Sequence, residues 1–171
     1  MPTPVEQLIQ IPIFRGLSPA EAQAIVAIAE DCAVKKSDKV FKEGDPGDGI
    51  YVLMAGSVSI QKQDSSGGQQ ELAKLGDGSV LGEMSLISGD APRSASAVAT
   101  TDAKLLKISG TRFSQLLASD DKAALKVIRN LAQVMARRLH LMSEKVVDLA
   151  DKGKKKEELA DFQRILNNWS F

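Results

Sequence analysis

The spacing of apolar residues changes twice along this chain of 171 residues. A short amphipathic stretch over residues 5–14 precedes a strong helix start, where Ser18 is the N-cap, Pro19 is the first helical residue and Glu21 completes a capping box. The predicted helix then carries one apolar stripe, made of Ala22, Ile25, Val26 and Ala29. The pattern predicts a helical N-terminal segment over residues 1–30.

Between residues 31 and 110 the pattern changes to short β-branched runs separated by glycine-containing turns. Eight such runs are candidate strands: residues 33–34, 39–42, 50–54, 57–63, 71–74, 79–81, 95–99 and 104–108. Turn signals separate them at residues 44–49, 55–56, 64–68 and 76–78. Eight short strands with regular turns favour an eight-stranded β-roll of jelly-roll type.

Helical spacing returns after residue 110. Residues 111–119 form a predicted short helix, and Ser119 or Asp120 can cap a long helix that runs to about Ala150. The prediction is therefore an α+β fold, an eight-stranded β-roll with N-terminal helices and a long C-terminal helix. Its four parts are residues 1–30, 31–110, 111–150 and a C-terminal tail over 151–171.

The long helix is apolar on more than one face. A seven-residue repeat is formed by Ile128, Met135, Met142 and Leu149, flanked by Leu131, Leu139 and Val146. Other sides of the helix carry Leu125, Val127, Val134 and Leu141. One face can cover the β-roll while the repeat forms a coiled-coil seam with a second copy, which predicts a homodimer through residues 121–150. The alternative, a core helix with a single apolar face, would leave the opposite stripe in water.

The C-terminal tail has its own amphipathic pattern. Gly153 and the run Lys154–Lys156 predict a break between helices. Apolar residues then follow at helical spacing, at Leu159, Phe162, Leu166 and Trp169. We therefore expect residues 154–171 to contact a partner protein.

Composition narrows the class of protein. Lys+Arg and Asp+Glu number 22 each, so no net charge attracts nucleic acid or an anionic membrane. The single cysteine fits a reducing compartment, and no signal peptide or membrane span is evident, so we expect a cytoplasmic protein without a membrane partner. With one histidine, His140, and one cysteine, Cys32, the chain offers neither clustered metal ligands nor a nucleophile triad. We predict no metal, no catalytic residues and no enzymatic activity.

One stretch concentrates residues suited to a sugar phosphate, GEMSLISGDAPRSASA from Gly82 to Ala97. Glu83 lies ten residues before Arg93, with MSLIS between them long enough for one helical turn. An arginine can hold two phosphate oxygens, backbone N–H groups at the start of a helix favour an anion, and a carboxylate can accept from a ribose hydroxyl. Gly82 allows a close approach of the backbone. The alternative is an ordinary surface ion pair between Glu83 and Arg93.

GEMSLISGDAPRSASAVA resembles the phosphate-binding cassette of the cyclic-nucleotide-binding domain family. FRGLSPAEA resembles the N-terminal helices of that family, and the glycines of EGDPGDGIYVLMAGSVSI follow its arrangement, although Leu81 stands where the family often has Phe. The resemblance implies that Glu83 binds the ribose 2′-hydroxyl and Arg93 the cyclic phosphate. It also implies phosphate contacts from the backbone around Met84 and Ser85 and from the hydroxyl of Ser94.

LAQVMARRLHLMSEKV resembles the long dimer helix of the catabolite-activator-like sensory domains of this family. In those domains a Thr-Ser pair on the helix reaches the base, and the matching pair here is Met142 and Ser143. Ser143 keeps a hydroxyl, whereas Met142 can only pack on the base. The bacterial transcription factors of the family continue into a helix-turn-helix domain, and we expect none here because about 20 residues follow the long helix.

The resemblance implies a stand-alone receptor domain for cyclic AMP that signals through its C-terminal helices and needs no cofactor. Three alternatives remain: a cyclic GMP receptor, a transcription regulator that acts on DNA without its own helix-turn-helix, and a structural dimer with a vestigial pocket. Only the basic run at Lys152 and Lys154–Lys156 supports the DNA alternative, and Glu157 and Glu158 follow it directly. We therefore expect no direct DNA binding.

Overall fold

The structure is a computed structural model that describes residues 3–87 and 91–152, with the side chains of this range apart from 145, 146 and 148–152. The predictions that rest on the side chains of Val146 and Leu149 lie outside the described residues. The same holds for the predicted partner contact of residues 154–171.

The chain begins with helices whose starts are encoded locally. Helix α1 spans Pro4–Leu8, a 3₁₀ helix spans Pro12–Phe14, and helix α2 spans Pro19–Ala27. The predicted capping box of α2 is confirmed, because the Ser18 hydroxyl accepts from the Glu21 N–H at 3.2 Å while the Glu21 carboxylate accepts from the Ser18 N–H at 2.7 Å.

Eight antiparallel strands form two four-stranded sheets, which confirms the predicted β-roll. They are β1 Ala29–Val34, β2 Lys39–Phe41, β3 Gly49–Ala55, β4 Val58–Gln63, β5 Gln69–Leu75, β6 Val80–Leu81, β7 Ser96–Ala99 and β8 Ala103–Ser109. One sheet has the order β1-β8-β3-β6 and the other the order β2-β7-β4-β5. Ala29, predicted as the last residue of the helical stripe, instead pairs with Ile108 as the first residue of β1.

The two sheets enclose a core to which five strands contribute. Its buried members are Tyr51, Leu53, Val58, Leu81, Ala97, Ala99, Ala103 and Leu105. Leu81 is 2% exposed, so leucine fills the apolar position where the family often has Phe. Strand β3 is buried on both faces over its first five residues, because helices cover the outer side of its sheet.

After the β-roll come helix α4, Gly110–Ala118, and helix α5, Lys122–Lys152. The cap of α5 is Asp121, whose carboxylate accepts from the N–H groups of Ala123 and Ala124 at 2.9 and 3.0 Å. The predicted caps, Ser119 and Asp120, end α4 instead, since Asp120 has a left-handed φ of 54° that breaks the helical path.

The first turns of α5 are tied to the N-terminal helices. The Asn130 side-chain amide donates to the backbone carbonyls of Ile13 and Arg15 at 3.1 and 2.8 Å. Lys126 forms an ion pair with Glu21 at 2.7 Å. On the same stretch Ala123, Ala124, Val127 and Leu131 are buried. Leu131, which the sequence analysis placed beside the dimer seam, thus belongs to the packed face of α5.

The chain divides into two compact units, Met1–Leu131 and Ala132–Phe171. The four-part division based on sequence stays a prediction. Among the described residues no helix has the length and hydropathy needed to cross a membrane, and no three His, Cys, Asp or Glu side chains cluster as metal ligands would.

Candidate functional site

The cassette lies between β6 and β7 of the β-roll. Gly82 and Glu83 follow β6, helix α3 spans Met84–Ile87, and Arg93 precedes β7. The backbone of Arg93 is held by the turn after β2, because its N–H donates to the Asp45 carbonyl at 2.8 Å. Strand pairing on either side therefore places the arginine at a defined point of the fold.

The Arg93 side chain is buried, with the residue only 5% exposed. Its Nη2 donates to Asp48 Oδ1 at 2.7 Å and to the Gly49 carbonyl at 2.8 Å. Its Nη1 donates to the Gly82 carbonyl at 3.2 Å and to Ser85 Oγ at 3.3 Å. The guanidinium is thus fixed by four acceptors, as a side chain aimed at one ligand position needs to be.

The Arg93 guanidinium also lies against aromatic rings. Its Cζ is 4.5 Å from the centroid of Phe41 and 5.6 Å from that of Tyr51. These cation–π contacts hold the plane of the guanidinium while leaving its edge for hydrogen bonds.

One donor of Arg93 differs from the others in having no acceptor among the residues that the structure describes. Within the described residues, the buried Nε has no hydrogen-bond partner. A buried donor left unpaired costs about 1–3 kcal/mol, and more when the group is charged. An anionic oxygen supplied by a ligand would relieve that cost. The cassette residues therefore fit a phosphate.

Glycine at position 82 makes room for this arginine. Gly82 has a φ of +70°, and a Cβ there would lie 2.0 Å from Arg93 Nη1. A side chain at this position would displace the guanidinium from its acceptors. The close approach that the sequence analysis expected of Gly82 is therefore made by Arg93.

Sequence reasoning missed Asp48 and Gly49, which contact Arg93, and Lys107, which is linked to Arg93 through Asp48. The sequence analysis had assigned Gly49 to a turn, yet its carbonyl accepts from both Arg93 and the Ser85 hydroxyl. The signal for Asp48 was an acid in the GDPGDG turn directly before a buried strand. Nothing near Lys107 in the sequence connects it with the cassette.

Asp48 accepts from two cations, Arg93 at Oδ1 and Lys107 at Oδ2. Burial alone would raise the pKa of the Asp48 carboxyl, but the hydrogen bonds and charges of Lys107 and Arg93 outweigh it and hold the pKa below its ordinary value of 3.8. The hydrogen bond to Asp48 raises the pKa of Lys107. Asp48 and Lys107 are therefore both charged at neutral pH.

The predicted cassette residues differ from one another in their exposure to solvent. Ser85 is buried, its hydroxyl accepts from Arg93 Nη1, and its N–H donates to the Gly82 carbonyl at 3.1 Å. Glu83 is half-buried, while Met84 and Ser94 are exposed. Gly82, Ser85 and Arg93 contact one another, and the ligand contacts of all six predicted cassette residues stay predictions.

The predicted base-contacting pair lies on α5 in the second compact unit. Met142 is 64% exposed and Ser143 is half-buried. Their contact with a base stays a prediction.

With this geometry established, comparisons with known proteins identify the family. The sequence matches the "Cyclic nucleotide-binding domain" family over residues 32–120, just over half of the chain. This protein belongs to the cyclic nucleotide-binding domain family.

Proteins with similar sequences occur in bacteria and fungi. A cyclic AMP receptor protein of Thermus thermophilus is 34% identical over 128 residues, which cover 75% of this chain and 57% of the relative. A cAMP-dependent protein kinase regulatory subunit of Colletotrichum orbiculare is 34% identical over 110 residues, 64% of this chain and 27% of the relative. This chain therefore spans little more than half of the first relative and about a quarter of the second.

The fold also matches solved structures. The crystal structure of a cyclic nucleotide-binding domain from Methylobacillus flagellatus has a TM-score of 0.72 and 30% identity, and the match covers 84% of this chain and 80% of that one. The shared fold includes the sheets and helices that position the cassette.

Proposed function

We propose that this protein is a receptor for cyclic AMP that passes the binding signal on through its C-terminal helices. The observation that carries the proposal is the buried Arg93, which is fixed by four acceptors and whose Nε has no hydrogen-bond partner in the described part of the chain. Relatives named for cyclic AMP support the choice of ligand. The lone cysteine fits action in a reducing compartment such as the cytoplasm.

The mechanism of binding follows from charge. Arg93 supplies the positive charge for the cyclic phosphate, and Glu83 accepts from the ribose 2′-hydroxyl. Phosphate binding favours the conformation in which the cassette is closed on Arg93 and α5 packs over the base, so the ligand shifts the population toward that state.

Isothermal titration calorimetry with cyclic AMP, cyclic GMP and 5′-AMP tests the proposal. We expect saturable binding of both cyclic nucleotides and weak binding of 5′-AMP, whose phosphate carries additional charge and is not held in a ring. Absence of heat with both cyclic nucleotides would contradict the receptor function.

Base selectivity is expected to be modest. Ser94 follows the arginine where the cyclic-GMP-selective kinases of the family typically carry Thr, which favours cyclic AMP. Met142 cannot hydrogen-bond the base and would cover either purine by dispersion. A site without specific hydrogen bonds discriminates by about 1–3 kcal/mol, so we expect cyclic AMP to bind more tightly by at most about a hundredfold.

Met142→Thr should widen this preference, because it restores a hydroxyl beside the predicted base position. Calorimetry of the variant with both nucleotides measures the ratio, and Leu141→Thr, a similar change at an exposed neighbour, is the control. A narrower preference in Met142→Thr would show that the base is read elsewhere.

We further propose a homodimer through α5. Large apolar side chains remain exposed along this helix, namely Leu125, Leu139, Leu141, Met142 and Val147. A coiled-coil seam along the repeat of Ile128, Met135 and Met142 would cover part of this apolar surface in a second copy.

Met135→Glu should shift the dimer toward monomer, because it places like charges opposite each other across the proposed seam. Sedimentation at equal concentrations compares it with wild type and with Gln133→Glu, which puts the same charge at an exposed position outside the repeat. A Met135→Glu protein that stays dimeric would place the interface on another surface.

A further inference from the structure

Lys107 forms part of a charge network that reaches Arg93. It lies on β8, opposite Tyr51 of β3 and Glu30 of β1. Its Nζ donates to Asp48 Oδ2, while Asp48 Oδ1 accepts from Arg93 Nη2 at 2.7 Å. Lys107 Nζ and Arg93 Cζ lie 5.7 and 5.6 Å from the centroid of the same Tyr51 ring. One carboxylate therefore bridges the buried arginine and a lysine from another strand.

The charges of this network determine the net positive charge that is available to bind an anionic ligand. Arg93 and Asp48 alone would form a neutral pair, and the carboxylate would repel an incoming phosphate. Lys107 adds a second positive charge, so the three side chains carry one net positive charge. A phosphate monoanion would bring that total to zero.

We propose that Lys107 is a positioning residue for nucleotide binding, which orients and neutralises Asp48 so that Arg93 keeps its charge for the phosphate. The inference rests on the proposed receptor function. Because Lys107 acts on the phosphate, which cyclic AMP and cyclic GMP share, it raises the affinity for both by the same factor and leaves base selectivity unchanged.

The expected size of the effect follows from solvent exposure. The side chains of Lys107 and Asp48 are 30% and 48% exposed, so water screens their charges in part. Charges within one network change each other's effect on binding, and we expect Lys107→Met to weaken the binding of both nucleotides about 5- to 20-fold.

Calorimetry of matched variants tests the affinity. Lys104→Met is the control, because it removes the same charge from an exposed position of β8 that forms no ion pair in the part of the chain described. Lys107→Arg should restore most of the affinity. In an Asp48→Asn background the effect of Lys107→Met should shrink to about twofold or less, since the carboxylate through which it acts is gone.

A second measurement does not depend on a nucleotide. The buried Arg93 Nε–H should exchange slowly and give a cross-peak in the proton–nitrogen spectrum of the ligand-free protein, assigned by its loss in Arg93→Lys. Lys107→Met should shift this cross-peak and Lys104→Met should leave it in place. A shift supports the positioning role even if the wild type bound no cyclic nucleotide, a result that would contradict only the receptor function.

Three outcomes would overturn the inference. The first is an unshifted Arg93 cross-peak in Lys107→Met. The second is a wild type that binds nucleotide while Lys107→Met binds as tightly as Lys104→Met. The third is a loss of affinity in Lys107→Met that differs between cyclic AMP and cyclic GMP.

Discussion

Arg93→Ala is expected to weaken cyclic AMP binding by about 2–5 kcal/mol, the range for removing one partner of a desolvated charge pair. The substitution removes the charge proposed to face the phosphate and all the donors of the guanidinium. In equilibrium terms the loss is about 30- to 5000-fold. Calorimetry with cyclic AMP measures it, and Arg112→Ala, at an exposed position of α4, is the control for loss of an arginine elsewhere.

The same substitution should also lower stability. Arg93 is 5% exposed and donates to four acceptors within the fold, so its loss removes structural contacts as well as the proposed phosphate contact. Arg93→Lys separates the two effects, because it keeps a buried positive charge near Asp48 and loses the planar fork and the Nε donor. Unchanged cyclic AMP affinity in Arg93→Lys would show that the guanidinium does not bind the phosphate.

Gly49→Ala is expected to destabilise the protein by about 2–4 kcal/mol, because it combines backbone strain with a steric clash. Gly49 has a φ of +148°, and a Cβ there would lie 2.1 Å from the carbonyl oxygen of Ile108. That oxygen belongs to the backbone of the paired strand β8 and cannot rotate away. The shift would also move the Gly49 carbonyl that accepts from Arg93, so affinity should fall with stability.

Substitutions at two other glycines separate the contribution of backbone strain from that of the steric clash. Gly76→Ala meets open space at an ordinary φ and should be nearly neutral, whereas Gly16→Ala meets open space at a φ of +79° and should show the cost of strain alone, about 1–2 kcal/mol. Thermal and urea unfolding of the three variants measure their stabilities, and we expect Gly49→Ala to lose the most and Gly76→Ala the least. If Gly49→Ala were as stable as Gly16→Ala, the steric clash would add no measurable free energy, and β3 and β8 could move apart at this point without loss of stability.

The sequence predicted the elements whose signals are local. The capping box of Ser18 and Glu21 set the start of α2, and β-branched runs between glycines set the strands of the β-roll. The first four residues of β1 were missed because Glu30 and Asp31 are exposed on an edge strand, where no apolar alternation marks them.

The candidate site was predictable only where the cassette is continuous in sequence. Glu83 and Arg93 share one segment, and their residue types alone suggest a sugar phosphate. Asp48 lies 45 positions from Arg93 and Lys107 lies 59 positions from Asp48, so only the folded sheets show that the three side chains meet.

The bonds from α5 to the N-terminal helices limit how the protein can move. Separating residues 122–131 from residues 13–21 would break the two hydrogen bonds of Asn130 and the ion pair of Lys126 with Glu21. Each hydrogen bond is worth about 0.5–1.5 kcal/mol. Displacement of either segment should therefore move the other with it as one rigid unit. A ligand that moves the start of α5 would also move the N-terminal helices. A spectroscopic label near Arg15 should therefore report nucleotide binding from a position outside the binding site.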